Sequence, residues 1–562
     1  MKRAIIYSIL IVTLFVYGFA VGYYKIFPFQ QLSSVKNMVE RMGSAEKEPP
    51  SVGSVEIMDT FLTKLLVKKV PLRDYEGYGG GLTNSGNILY IISNKGQVQT
   101  YDVKRHRKVE NTILPLPMKL DEFMQTGISD RNNFRMIWYR VNGVFSEQLS
   151  EDEHRLYLSH ISYDEDQACM THNVSRGRLQ LSGDRITQAV DWETIFTAEP
   201  CIDPEPDHEV SGAMWAGHIS GGKIVNYDNE NLLVTVGDYN RNGIDGSQAY
   251  AMDNSNPYGK TILLNKTTGS WSVFTRGSRN PSGLYRDRNG EFWEVENGPA
   301  GGDELNLLKK GQNYGWPRVS YGTWYLPEMK LPGDYETGTH PEYAKPVFSW
   351  VPSVAPSGVL RIEHDRFPRW QSDLLVGTMR DRSLQRLRLD ESNSVKYTEE
   401  IELGHRVRDM AVLENGTILL LTDDEYLIAI DDGGLIYEDI GTVELARMTE
   451  LERFNNLISE SRVEDRPVRS AAAIFEQNCS TCHNMGRSTL IGPHLANLEE
   501  REVGGLGEYT YSQALESDQR QWNRRLLRSF LANPDEEFAG SSMPKINLTE
   551  SEVDSLVQYL LE

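Results

Sequence analysis

Gly416–Asp432, GTILLLTDDEYLIAIDD, consists of two short β-rich runs around a polar turn and closes on aspartate. The same texture returns along the chain from about residue 75 to 435. GNILYIISNKGQVQTYD begins at Gly86, HRLYLSHISYDEDQACMTHNVSRGRL at His154, and NLLVTVGDYN at Asn231 is followed by GKTILLNKTTGSWSVFT at Gly259. GEFWEVENG begins at Gly290 and DLLVGTMRDRSLQRLRLD at Asp373. Each is a β-rich run, a turn with Gly, Asn or Asp, and a second β-rich run. About six such units at roughly sixty-residue spacing predict successive antiparallel sheets arranged radially, a six-bladed all-β propeller, because radial repetition leaves few exposed strand edges.

The whole chain of 562 residues exceeds one ordinary core, and a hydrophobic fraction of 39% is ample for burial. A formal net charge of -22 argues against a nucleic-acid partner, since phosphate binding needs clustered Lys and Arg. The excess of carboxylates reads as a solvated acidic surface.

At the N-terminus, Ala4–Tyr24 (AIIYSILIVTLFVYGFAVGYY) is an uncharged apolar run preceded by Lys2 and Arg3. About twenty such residues suffice to cross a bilayer core, which predicts a transmembrane anchor over residues 1–25 and an exported remainder. A cleaved signal peptide, with Ala20-Val21-Gly22 as its small-residue site, is the competing reading. Residues 26–60 read as a tether, 61–440 as the propeller, 441–465 as a linking helix and 466–562 as a small all-α domain. The linking helix is expected because Val443, Leu445, Met448, Leu451, Phe454 and Leu457 recur at helical intervals. In an oxidising compartment Cys169 and Cys201 can pair; two unrelated buried thiols are the alternative.

The last segment holds Cys479, Cys482 and His483 in the string NCSTCHNM, a C-x-x-C-H signature. Two thiols at this spacing can form thioethers to one haem, and the adjacent imidazole then serves as proximal ligand to the iron. A zinc site would want a second ligand pair close by. CSTCH, IGPHL, YSQAL, WNRRLLRSFLANP and SSMPKINLTESEVDSLVQYL together resemble the class I cytochromes c. That resemblance implies haem c with Met543 as the distal ligand, a His/Met pair without an open coordination site. Such a haem carries electrons; chemistry on a substrate must come from elsewhere. Attachment of c-type haem implies the outer, periplasmic side of a bacterial inner membrane.

In the middle of the chain, GSRNPSGLYRDRNGEFWEVENGPAGGDELNLLKKGQNYGWPRVSYG (Gly277–Gly322), GHISGGKI at Gly217, SWVPSVAPSG at Ser349 and GHRVRDMAVLENGTILLLTDD at Gly404 resemble the glucose/sorbosone dehydrogenase family of six-bladed propellers. The resemblance implies PQQ, a tricarboxylate quinone, held by Arg279, Asn280, Arg380, Arg406 and Arg408. It implies calcium on the backbone carbonyls of Gly298 and Pro299, and His218 as catalytic base. Arginine suits carboxylates because it binds them bidentately, calcium suits neutral oxygens, and a neutral imidazole suits removal of a hydroxyl proton.

Two departures from the family pattern stand out. Arg380 occupies the place of a lysine, and DEFMQTGISDRNNFRMIWY (residues 121–139) replaces an early Gln-Asn-Gly-Leu-Leu-Gly segment, leaving Gln125 or Asn132 as substitutes for one cofactor contact. The expectation is therefore a membrane-anchored quinohaemoprotein dehydrogenase that oxidises a sugar or other alcohol and passes electrons through its haem to a downstream acceptor. The alternative is a non-catalytic propeller that binds a partner and carries an electron-transfer cytochrome. A third feature, DYNRNGIDG from Asp238, imitates the start of a calcium loop but lacks its closing Glu and reads as a polar turn beside the site.

Overall fold

The computed structural model describes residues 55–561 apart from 73–79, 95, 97, 105–106, 110–115, 129–138, 183–184, 187–190, 205–216, 244–248, 324–339, 435–446, 448–450, 452–470, 481–482, 484, 486–491, 508, 510, 540, 542, 544–547 and 549. The expected anchor and most of the tether and linking helix lie outside these residues. Among the described residues no helix is long and apolar enough to cross a membrane.

Six antiparallel sheets form six blades, and each sequence unit falls in one of them. Their innermost strands are Gly81–Ser85, Val141–Gln148, Gly221–Asn226, Pro281–Arg286, Pro356–Arg361 and Val407–Val412, for blades 1 to 6 in that order. Each inner strand neighbours the next, and the sixth neighbours the first, so the ring closes.

Inner and middle strands are packed on both faces by adjacent blades and so read as continuous apolar runs. All five residues of Ile418–Thr422 are buried, whereas the outermost strand of blade 5, Val395–Glu402, alternates between exposed and partly buried positions over most of its length. Apolar clusters fill the seams: Leu65, Leu360, Leu375 and Leu420 join blades 5 and 6, and Leu82, Ile91, Leu419 and Leu421 join blades 6 and 1.

Ring closure comes from the N-terminus. Lys64–Pro71 pairs with Tyr426–Asp432, Leu65 opposite Asp432 and Pro71 opposite Tyr426, and Val55–Asp59 pairs outside it. The propeller therefore begins at Val55, inside the stretch expected as tether, because blade 6 needs two outer strands that its own segment does not contain. Of the expected linking helix, Arg447 and Leu451 are described; both are helical, and Leu451 is buried against the seam of blades 6 and 1. Cys169 and Cys201 form a disulfide with Cα atoms 5.8 Å apart, pinning the segment after blade 2 to strand Cys169–Ser182.

The C-terminal domain is helical, with Ala471–Asn478, Arg524–Ala532 and Glu550–Leu561 as its main elements. Asn523 caps the second of these by accepting from the Leu526 N–H at 3.0 Å. Phe475, Leu527, Phe530, Leu556 and Val557 share one core with Cys479.

Candidate functional site

The first residues of the six inner strands cluster at one end of the propeller axis, and the chemistry collects there. Lys223, third in its strand in blade 3, donates through Nζ to Asp409 Oδ1 of blade 6 at 2.6 Å. Asp409 Oδ2 accepts from the Leu82 N–H of blade 1 at 2.9 Å. Both side chains are buried, so the ion pair plugs the axial channel and levels three strands. The inner strands of blades 2 and 3 also approach closely, which Gly222 (φ +105°) allows: a Cβ there would lie 2.2 Å from the Asn142 Cβ of blade 2.

His218 lies on the turn Gly217–Ile219 that feeds the inner strand of blade 3. Backbone bonds lace this turn to its neighbours: the Tyr239 N–H donates to Ile219 O at 3.1 Å and the Asp238 N–H to Arg279 O at 2.9 Å. Tyr239 sits at φ +52°, a strained conformation for a bulky residue, and its hydroxyl is held 2.8 Å from His172 Nδ1. His218 keeps part of its surface exposed. Burial first, then the charges of Arg279 and Arg140, push its pKa down to about 3. The imidazole is therefore neutral at any ordinary pH and able to accept a proton.

Arg279 is almost fully buried, its guanidinium 5.5 Å from the centre of the Trp316 ring. Nη1 donates to Asn297 O at 3.0 Å and Gly298 O at 2.8 Å. Asn280 bridges two blades: its Nδ2 donates to Asn297 Oδ1 at 2.9 Å, and its Oδ1 accepts from the Gly221 N–H at 3.1 Å. The polar turn at Asp238 backs this arrangement, Asp238 Oδ2 accepting from Trp316 Nε1 at 2.6 Å and Oδ1 from the Asn240 N–H at 2.8 Å. These bonds engage both oxygens of the turn's leading carboxylate.

Arg406 and Arg408 flank Asp423. Arg406 Nε donates to Oδ2 at 3.1 Å, and Arg408 Nε and Nη2 donate to the two oxygens at 2.7 Å each. Burial alone would raise the Asp423 pKa; the two guanidinium groups outweigh it and hold the carboxyl below its ordinary range. Arg380 is exposed. Arg382, two residues on, is half-buried and close enough to Arg406 and Asp423 for their charges to act on it. The tight turn between Thr378 and Ser383, with Arg382 at φ +55°, separates these two arginines in environment.

Arg140 escaped sequence reasoning altogether. It immediately precedes the inner strand of blade 2, the same relative place that Arg406 holds in blade 6. Nε donates to Asn142 Oδ1 at 2.9 Å, and Nη2 to Ser220 Oγ at 3.3 Å. Gln125 is exposed at the end of helix Leu120–Gln125, and Asn132 lies outside the described residues. The donor set at the mouth, four or more cations with one neutral imidazole, fits a polycarboxylate. For calcium the fit is partial, because the Gly298 carbonyl already accepts from a guanidinium and offers only its second lone pair.

In the helical domain, His483 Nδ1 lies 2.7 Å from Pro493 O. A carbonyl only accepts, so the proton is on Nδ1 and the lone pair on Nε2, the tautomer that ligates a metal. A Cβ on Gly492 would lie 2.5 Å from His483 Cε1, so glycine is what allows the ring to seat there. Cys479 is buried, Met543 is half-buried against the domain core, and Cys482 lies outside the described residues. His494 is buried, and its carbonyl accepts from Arg501 Nη2 at 2.8 Å. This donor set fits a covalently held haem.

Comparison with known proteins agrees with both halves. The family model Glucose / Sorbosone dehydrogenase matches residues 141–429, and the model Cytochrome c matches residues 468–562. The protein slr1608 of Synechocystis sp. is 32% identical over 267 residues, 44% of this chain and 63% of that protein. The aldose sugar dehydrogenase YliI of Escherichia coli is 28% identical over 308 residues, 51% of this chain and 76% of the relative. The chain thus spans less than two thirds of the length of the first of these. A solved glucose dehydrogenase superposes with a TM-score of 0.50 at 23% identity, over 66% of this chain and 100% of its own, a likeness of fold. From the inner strand of blade 2 to the third strand of blade 6 the chain belongs to the glucose/sorbosone dehydrogenase family, and a cytochrome c domain follows that propeller.

Proposed function

We propose that this protein is a quinohaemoprotein dehydrogenase that oxidises an aldose or another polyol-like alcohol, anchored by residues 4–24 in a bacterial inner membrane with its bulk in the periplasm. The observation that carries the reading is the convergence of His218, Arg279, Arg406 and Arg408 on one end of the axis, in a chain whose other domain seats His483 for haem.

Bound PQQ would supply the quinone that takes hydride from the substrate carbon. Arg279, Arg406 and Arg408 would hold its carboxylates, with the carbonyls of Gly298 and Pro299 holding calcium once Arg279 turns from Gly298 toward the cofactor. His218 takes the hydroxyl proton. Its depressed pKa keeps it in the accepting form, and the carboxylates of a bound anion would relieve the repulsion from Arg279 and Arg140 that makes it a weak base. The two electrons must leave one at a time, and a haem in the same chain offers a one-electron outlet at high effective concentration toward a downstream acceptor.

The alternative, a binding module without catalysis, draws on the replaced early segment and on the engaged Gly298 carbonyl. A titration of the purified full chain with PQQ in the presence of calcium separates the two. Saturable binding of one equivalent is expected; absence of saturable binding would leave the module.

A further inference from the structure

We propose that Arg140 binds a carboxylate of the quinone cofactor, adding from blade 2 a contact in place of the replaced early segment; this rests on the PQQ reading above. Three observations lead there.

The first is placement. Arg140 stands at the head of an inner strand in a closed ring whose other heads carry Asn280 and Arg406, and its charge acts on His218 and Lys223 and is felt beside Arg408. The second is its partners. Lys223 is matched by Asp409, and Arg406 and Arg408 share Asp423, so these cations are partly neutralised. Among the described residues Arg140 forms no ion pair; its guanidinium bonds only the neutral Asn142 and Ser220. Ser220 Oγ in turn donates to Asn142 Oδ1 at 2.8 Å, so the three groups form one polar unit spanning blades 2 and 3.

The third is cost. A half-buried guanidinium without a carboxylate partner is unfavourable, and an incoming anion offsets this. Burial first, then the charge of Arg408, lowers the Arg140 pKa to about 10 against the opposing pull of Asp423. The planar fork, already held at Nε by Asn142, is oriented before the ligand arrives, which suits bidentate capture of a carboxylate.

The test is equilibrium titration of the purified full-length apoprotein with PQQ at fixed calcium, followed by quenching of tryptophan fluorescence. Arg140→Gln should weaken PQQ binding roughly 10- to 100-fold, the loss of a charge-assisted hydrogen-bonded pair. Arg140→Lys should fall between. Asn142→Asp, nearly isosteric, places a carboxylate on Arg140 and should weaken binding in the same direction without removing the arginine. Wild-type binding with Arg140→Gln and Asn142→Asp unchanged would overturn the assignment and leave the PQQ reading intact. No saturable binding by wild type would overturn both. If Arg140→Gln does not fold, Asn142→Asp decides alone.

Discussion

Lys223 Nζ and Asp409 Oδ1 lie 2.6 Å apart across the propeller axis, joining the inner strands of two opposite blades. The pair is buried, so its energetics are those of a desolvated ion pair: removing one partner strands the other charge. Lys223→Met should therefore destabilise the propeller by about 3–5 kcal/mol. Lys223→Met with Asp409→Leu should recover part of this, less whatever the Leu82 N–H loses with its acceptor. Thermal unfolding followed by circular dichroism measures both. A single variant as stable as wild type would mean that the axial plug does not hold the ring.

The environment of His218 carries a pH consequence. Its folded-state pKa, about 3, lies below the ordinary 6.5, first through burial and then through Arg279 and Arg140. The sign follows: between about pH 3 and pH 6.5 the folded imidazole stays neutral where an ordinary histidine would be charged. The acid limb of kcat/KM should then fall well below pH 6.5. Arg140→Gln removes one repelling charge and should move that limb upward. An acid limb near 6.5 in wild type, unmoved in the variant, would place the proton acceptor elsewhere.

Gly492 gives a prediction for the haem domain that does not depend on substrate. Gly492→Ala puts a methyl 2.5 Å from His483 Cε1, and the ring must shift or lose its bond to Pro493 O. The Nδ1–H bond sets the tautomer and basicity of the proximal ligand. The haem reduction potential should move and the low-spin haem signature should weaken, by spectroelectrochemistry and electron paramagnetic resonance. Unchanged potential and spectrum would mean that the backbone absorbs the methyl without disturbing the ligand.

The blades were legible because each is built from short apolar runs punctuated by Gly, Asn and Asp, a local signal. The closing strands were not. Lys64–Pro71 meets its partner Tyr426–Asp432 only after the chain has circled the axis, so nothing in KLLVKKVP names blade 6, and a reading from sequence extends the tether to residue 60. In the site, His218, Arg279, Asn280, Arg406 and Arg408 were found through motifs, and the fold gathers these strand-head segments at one end. Arg140 was missed because its meaning lies in the ring: it becomes a site residue only when the inner strand of blade 2 is set beside Ser220 of blade 3. One retrospective signal exists, an arginine directly before an inner strand as at Arg406. Arg380 and Arg382 differ by two residues and by a tight turn, and motif position alone does not resolve which faces inward.

Electron transfer from the propeller to the haem of the same chain is the step on which the proposed dehydrogenase depends. It is tested most directly by anaerobic mixing of the oxidised full-length protein, loaded with PQQ and calcium, with an aldose while the haem absorbance is followed. The account predicts haem reduction that requires both PQQ and calcium and slows by about two to four orders of magnitude in His218→Ala, the usual contribution of a general base. Haem reduction at the same rate without PQQ, or in His218→Ala, would contradict it.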